Sequence, residues 1–515
     1  MLKRLIALTL VILMVLPMVV ACGDKKETAA TTGVSLNNSG GAKEELSEED
    51  KKERAEIMAY VDELASENDF SGKSFTWIGG GSQAPEETEE TGDIAQDALY
   101  YRQRDIEEKF HISWSNYEPE VVEGGDAGTH PVVEAVRKDV MAGSSAYDAG
   151  YGTPVAVCQP LFNNSTLADV STYDGIDFSK KWWTATLLDT YHIAGATYFL
   201  NGAIVTSNYT DAHAVLYNKE VAANYNIGDL YGYVKDGTWT FDKMFEIASS
   251  KVPTNENGAG AYRYSEPNGL AILYANNYPL TRFNADSTPY FSDSYPIELS
   301  NLSDKFSVVF GDDAQTVNLK GELDQNSSEK FEEKYDGATS MGSMFVGGQI
   351  LFYFDTTGGA ADLREEEVEF GILPLPKGSE SQENYISFAE PWSAFNVFVP
   401  KTTKDPAVTG VILEAMAALG LRYIKPAYYD NLLQGRSTYD KASKEMIDII
   451  FATKVYDIID FLVTDGSNNG DGAFVRIHKA AIQETNQGLA SKYKMQVRNV
   501  NRRIDQILKE LNSGN

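Results

Sequence analysis

The side chains best equipped for chemistry are few or scattered in this chain. Its five histidines (His111, His130, His192, His213 and His478) form no close pair, so no metal-ligand spacing is spelled out. Neither His-Glu-x-x-His nor Gly-x-Ser-x-Gly occurs, which removes the zinc-protease and nucleophile-elbow signatures. Carboxylates are abundant, but no spacing localises a glycosidase-type pair. Gly79-Gly80-Gly81 lacks the spacing of either nucleotide loop, and no Lys-Ser/Thr follows it. Asp465-Gly466-Ser467-Asn468-Asn469-Gly470 starts like a calcium loop, yet its twelfth position is Arg476, a cation where a bidentate Glu is required. Neither a metal nor a cofactor is expected, and the chain does not read as an enzyme.

What remains is recognition. A sugar ring has weakly apolar C–H faces and a rim of hydroxyls. Aromatic rings cover the faces, and planar polar groups answer the rim. Aromatic and polar residues fall together at expected strand ends: Trp77, Tyr151 with Thr153, Asp355 and Trp392. Core packing is the competing expectation for each ring, since aromatics are usually buried. Trp182 and Trp183 are adjacent and cannot both face one pocket from a strand, so one of them is assigned to the core. Trp239 reads as a structural staple at a helix start, with Thr240 as N-cap.

The elements that must position these residues follow from pattern. Met1-Leu2-Lys3-Arg4 and the apolar run Leu5–Leu16 form a secretory signal, too short to span a bilayer. Val19-Val20-Ala21-Cys22 resembles the lipobox of bacterial lipoproteins, whose cysteine carries the lipid. Cys158 then has no disulfide partner and sits in an apolar run, where an inert buried thiol is expected. Residues 22–46 are small and polar and read as a disordered tether. The net charge of −31 disfavours nucleic acid and anionic surfaces. With 515 residues, the chain is long for one core.

Ser47-Glu48-Glu49-Asp50 opens a helix whose Ile57, Val61 and Leu64 share a face. Strand 74–78, helix 94–110, strand 112–116, helix 132–142 and strand 147–150 give the rhythm of a parallel α/β sheet. Residues 277–330 read as an insertion of loops or a small hairpin. A C-terminal helix is expected over 483–511, with Val497, Val500, Ile504, Ile507 and Leu508 on one face.

The ordered set "SFTWIGGG", "RDIEEKFHISW", "VRKDVMAGSSAYDAGYGTP", "LADVSTY", "AGATYFLNGAIV", "AHAVLYNKEV", "DGTWTFDKMFEIAS", "FVGGQILFYFDT", "VEFGILPLPK", "EPWSAFNVFVPK" and "DPAVTGVILEAMAAL" resembles extracellular solute-binding lipoproteins of ABC importers, family 1 type, in their sugar- and maltodextrin-binding branch. The resemblance runs from about residue 70 to the C-terminus. It implies an α/β, periplasmic-binding-protein-like (type II) fold, with two discontinuous α/β lobes joined by a hinge and the ligand cleft between them. The implied boundaries are a signal at 1–21, a lipidated tether at 22–46, lobe 1 at 47–212 plus 393–422, and lobe 2 at 213–392 plus 423–515.

The resemblance also implies ligand contacts from Trp77, Gly80, Ser82, Tyr151, Thr153, Asp355, Trp392 and Phe474, the last in "NNGDGAFVRIHKA". Its implied partners are a small carbohydrate, ABC permease subunits and, through lipid on Cys22, the outer face of the bacterial cell membrane. A monomer is implied. An extracellular glycan-degrading enzyme on the same tether, or a ligand sensor on the same fold, stays open at this point.

Overall fold

The computed structural model describes residues 48–79, 89–120, 130–184, 190–255, 260–285, 287–291, 302, 305, 307, 309, 315–317, 327–335, 338–363, 366–389, 394–433, 441–458 and 488–513. All of them belong to one compact unit, Leu46–Asn515.

Helix α1 (Glu48–Glu67) buries Ile57 and Val61. Strand β1 (Ser74–Ile78) follows, then α2 (Ile94–Phe110), capped by the Asp93 carboxylate, which accepts from the amides of Ala95 and Gln96. After β2 (Ser113–Tyr117) comes α3 (Pro131–Ala142), with Pro131 in its first turn and Gly143 closing it in the left-handed conformation. Strand β3 is Ala149–Gly152. It starts two residues later than the pattern predicts. Just before it, the Asp148 amide donates to the Thr76 carbonyl at 2.9 Å, and the Asp148 carboxylate accepts from the Thr76 amide at 2.8 Å. β1 pairs with β2 and β3 in parallel, as expected.

The second sheet starts at β4 (His213–Asn218). Helix α4 (Phe241–Lys251) is capped by Thr240, whose hydroxyl accepts from the Lys243 amide. Trp239 is fully buried and donates its indole N–H to the Pro374 carbonyl at 3.0 Å, the staple role expected of it. Then come β5 (Tyr262–Ser265), the hairpin β6 (Thr281–Phe283) and β7 (Pro289–Phe291), and β8 (Thr316–Val317). They are followed by β9 (Ile350–Thr356), helix α5 (Thr357–Asp362) and β10 (Phe370–Pro374). The sheet order is β8-β5-β9-β4-β10, with β4 antiparallel to both neighbours. The 277–330 stretch therefore gives a hairpin, as read from sequence, and also an edge strand to this sheet.

The chain returns through β11 (Ser387–Phe388) to β12 (Asn396–Phe398), which completes the first sheet in the order β12-β3-β1-β2. β12 runs antiparallel to β3, whereas the three strands of the opening β-α-β-α-β run pair in parallel. The long α6 (Pro406–Leu433) covers the first sheet, packing on α1 and α2. Its segment Pro406–Tyr429 is long and apolar enough to cross a membrane, but most of it is buried in protein. Residue 422, an expected lobe boundary, falls inside this helix. α7 (Lys441–Ala452) packs on β10, and β13 (Lys454–Val455) pairs with β11. α8 (Gly488–Ser513) buries Val500, Ile504 and Ile507 and holds the β6–β7 hairpin: Tyr493 stacks on Phe291 at 4.7 Å, and Asn501 bonds both the amide and the carbonyl of Phe291.

Trp182 and Trp183 correct an expectation. Both are buried: Trp182 lies in a turn and Trp183 forms an isolated antiparallel bridge with Gly202. They donate to the two oxygens of one carboxylate, Glu414 of α6, at 3.1 and 2.9 Å. Tyr60 of α1 donates to Glu414 Oε1 at 3.0 Å, and the Asp177 amide to Oε2 at 3.2 Å. Burial raises the Glu414 carboxyl above its ordinary value, against the pull of these donors.

Candidate functional site

Trp77 and Tyr151, the two aromatic candidates for ligand contact that fall among the described residues, both lie in the first sheet. Trp77 (β1) and Tyr151 (β3) occupy neighbouring parallel strands, and their rings stack at 5.7 Å. Trp114 of β2 lies 6.2 Å from Trp77, and Phe395, just before β12, meets Tyr151 edge-on at 5.5 Å. The result is a ladder of rings across the sheet. Trp77 and Tyr151 are buried, whereas Trp114 and Phe395 are only half-buried. The Trp77 indole N–H is buried and has no hydrogen-bond partner among the described residues. Such a group in a native fold calls for an explanation.

Gly79 shows why a glycine ends β1. Its φ is +124°, and a Cβ there would sit 2.7 Å from the Tyr151 ring. The ring lies directly on the backbone of the turn. Thr153 is half-buried and opens the next helical turn, its carbonyl accepting from the amides of Val157 and Cys158. Cys158 is buried, its thiol held at the Gly152 carbonyl, and burial pushes the thiol well above its usual range. An inert thiol is what its apolar setting predicts.

Sequence reasoning missed Arg102. It lies on α2 among buried residues, and its guanidinium donates to the Ile204 carbonyl at 2.7 Å. Burial lowers its pKa to about 10, and the Tyr428 and Tyr151 hydroxyls oppose that shift.

On the second sheet, Asp355 lies one residue before the end of β9, paired with Ala214 of β4. Its carboxylate accepts from the Thr356 amide at 2.7 Å and packs against the Gly359 backbone in α5, where a Cβ would lie 2.3 Å away. Burial raises its carboxyl, with Tyr353 and Thr356 pulling the other way. Asp355 and Trp77 thus lie on different sheets.

Between the sheets, the passages are bonded to one another. Ala212 bridges Ala389, Leu200 bridges Val397, and β11 pairs with β13. The amides of Thr357 and Gly358 in α5 donate to the carbonyls of Ala212 and Thr210. Lys454, on β13, reaches back to Asn208 and Asp211. α6 approaches so closely that a Cβ at Gly420 would lie 1.9 Å from the Ala203 carbonyl. Gly80, Ser82, Trp392, Phe474 and Cys22 lie outside the described residues. Among the described residues, no cluster of three or more His, Cys, Asp or Glu could hold a metal.

The chain superposes over most of its length on proteins of similar architecture. An ABC substrate-binding protein of Listeria monocytogenes, solved with cycloalternan, is 14% identical with a TM-score of 0.50, covering 84% of this chain and 98% of its own. The fold is that of type II solute-binding proteins. The GacH receptor of Streptomyces glaucescens, solved unliganded and with acarbose, is 12% identical (TM-score 0.50), covering 84% of this chain and 99% of its own. A family 1 extracellular solute-binding protein of Bifidobacterium longum subsp. infantis is 13% identical (TM-score 0.50), covering 85% and 100%. These solute-binding neighbours are binding proteins rather than enzymes. No protein-family model matches the sequence, and no curated relative does.

Proposed function

We propose that the protein is the substrate-binding component of an ABC importer. It captures a small carbohydrate by closing two lobes and delivers it to membrane permease subunits, acting as a monomer held at the outer face of the cell membrane by lipid on Cys22. The lobes are 47–212 with 393–422 and 213–392 with 423–515. The observation that carries the reading is the placement of β12: the chain leaves the first sheet, builds the second, and comes back to complete the first. Two bodies joined by such passages can rotate about them. A solute that touches both favours the closed form, because only that form makes both sets of contacts.

The carbohydrate part rests on the ladder of rings and on what the neighbours were solved with. The residues assigned to solute contact on this reading are Trp77, Gly80, Ser82, Tyr151 and Thr153 from the first lobe and Asp355, Trp392 and Phe474 from the second. The buried Trp77 N–H is a donor still to be answered.

Thermal melting of the purified protein against a panel of sugars tests this. The panel includes maltotetraose, acarbose, cycloalternan and monosaccharides. A sugar at ~100 times its dissociation constant adds about 2.7 kcal/mol of stability. Trp392→Ala and Phe474→Ala should each abolish that gain while leaving the unliganded melt in place. A shift with peptides or polyamines and none with any sugar would overturn the carbohydrate assignment.

A further inference from the structure

Lys454 and Asp211 are almost fully buried, their side chains 2% and 0% exposed, and are separated by 243 positions in sequence. The ammonium meets three acceptors: the Asn208 carbonyl at 2.7 Å, the Asn208 side-chain oxygen at 2.8 Å and Asp211 Oδ1 at 2.9 Å. An ammonium has three donors, so Lys454 is saturated. The other Asp211 oxygen accepts from the Tyr456 hydroxyl. Asn208 and Asp211 belong to the first passage between the sheets. Lys454 and Tyr456 lie on or just after β13, and β13 is zipped to the second passage through β11, with the Ala389 amide donating to Val455 at 2.9 Å.

Stability alone does not account for such a cluster. A buried ion pair costs several kcal/mol per ion to desolvate, and apolar replacements of similar volume are often neutral or stabilising. What a saturated, directional cluster supplies is a single allowed arrangement. A shift of about 1 Å between the passages would break a charge-assisted bond that water cannot replace.

We propose that Lys454, Asp211 and Tyr456 form a buried latch that locks the passages in one register and thereby sets the resting angle between the lobes. This rests on the two-lobed reading above, and it needs no particular solute. Bending on closure is confined to the stretches on either side of the latch. The cluster makes the pivot stiff, and the lobes swing as units about it.

The test compares wild type with the K454M/D211L double variant, which keeps volume and removes the directional bonds, in the absence of any sugar. Hydrogen exchange is read at the amides of Ser387, Ala389 and Thr357, and small-angle scattering reports the spread of interlobe distances. The double variant strands the Tyr456 hydroxyl and the two Asn208 oxygens, so it should stay folded but melt below wild type. Its pivot amides should exchange at least about tenfold faster, while β4 and β9 keep their protection, and its scattering should broaden. A folded double variant with wild-type exchange at the pivot and wild-type scattering would overturn the latch. If the double variant does not fold, Tyr456→Phe decides: it keeps both charges and removes one donor, and should speed Ala389 exchange about threefold. Unchanged exchange there would overturn the proposal as well. Because no solute is present, failure of the latch and failure of the carbohydrate assignment are separate outcomes.

Discussion

Replacing Glu414 with Gln tests how the N-terminal helix is held to the body. Each carboxylate oxygen takes two donors: Oε1 accepts from Tyr60 and Trp182, and Oε2 from Trp183 and the Asp177 amide. Gln keeps one oxygen, which can serve two of the four. With that oxygen left on Tyr60 and Trp182, the amide nitrogen faces the Trp183 indole and the Asp177 amide, neither of which can accept. Each buried donor left unmade costs about 1–3 kcal/mol, so E414Q should lose about 2–6 kcal/mol. For a cooperative unit of about 470 residues, unfolding entropy is on the order of 1 kcal/mol per degree, which gives a fall of roughly 2–6 °C in calorimetry. A double-mutant cycle sharpens the test. Trp183→Phe removes one of the stranded donors, so E414Q/W183F should be less destabilised than the sum of the singles by about 1 kcal/mol or more. A melt of E414Q within about 1 °C of wild type, or strict additivity in the cycle, would refute the four-donor account.

Gly79→Ala should cost about 1–3 kcal/mol, because it forces a side chain into the left-handed region and against the Tyr151 ring; near-UV circular dichroism and thermal melting would report it. Cys158 should not react with a thiol reagent at pH 8 until denaturant unfolds the protein, since burial raises its pKa; prompt labelling of the native state would contradict that. Asp405 caps α6 and pairs with Lys73 at 2.8 Å, and that bond, more than the others, lowers its carboxyl below 3.8. Its charge therefore stabilises the fold above pH 3.8, and this is lost as pH falls through the lower folded-state value. D405N, which keeps a capping oxygen, should cost only about 0.2–1 kcal/mol at pH 7 because the pair is exposed, and the gap to wild type should close as pH falls through the lowered folded-state value.

Local patterns were legible where one face of an element decides its form. Helix α2 was readable to its ends because Asp93 caps it and Leu99, Ile106 and Phe110 follow the helical period. Strand β1 was equally plain. β3 was placed two residues early because at Asp148 the Thr76 amide bonds the side-chain carboxylate, while the Asp148 amide bonds the Thr76 carbonyl, a local exchange that no periodicity shows. The direction of β12 depends on its arrival from the other sheet, a fact of topology rather than of its three residues. The polar clusters were the hardest to see. Asp211 and Lys454 lie too far apart in sequence to be paired by eye, yet each of the other two left a trace. Arg102 stands on the apolar stripe of α2 between Leu99 and Ile106, and Glu414 interrupts the run "VTGVILEAMAAL". A charge set in an apolar stripe marks a buried partner, even when the partner cannot be named.

The shared carboxylate beneath Trp182 and Trp183 gives the protein an optical readout of its own. Both indole N–H groups point at one anion, and the Tyr60 ring of α1 lies 4.9 Å from Trp182, well within energy-transfer range. Undocking of α1 removes the phenol and admits water to both indoles together. The intrinsic emission of this pair therefore reports whether the first helix is seated, without any dye or label.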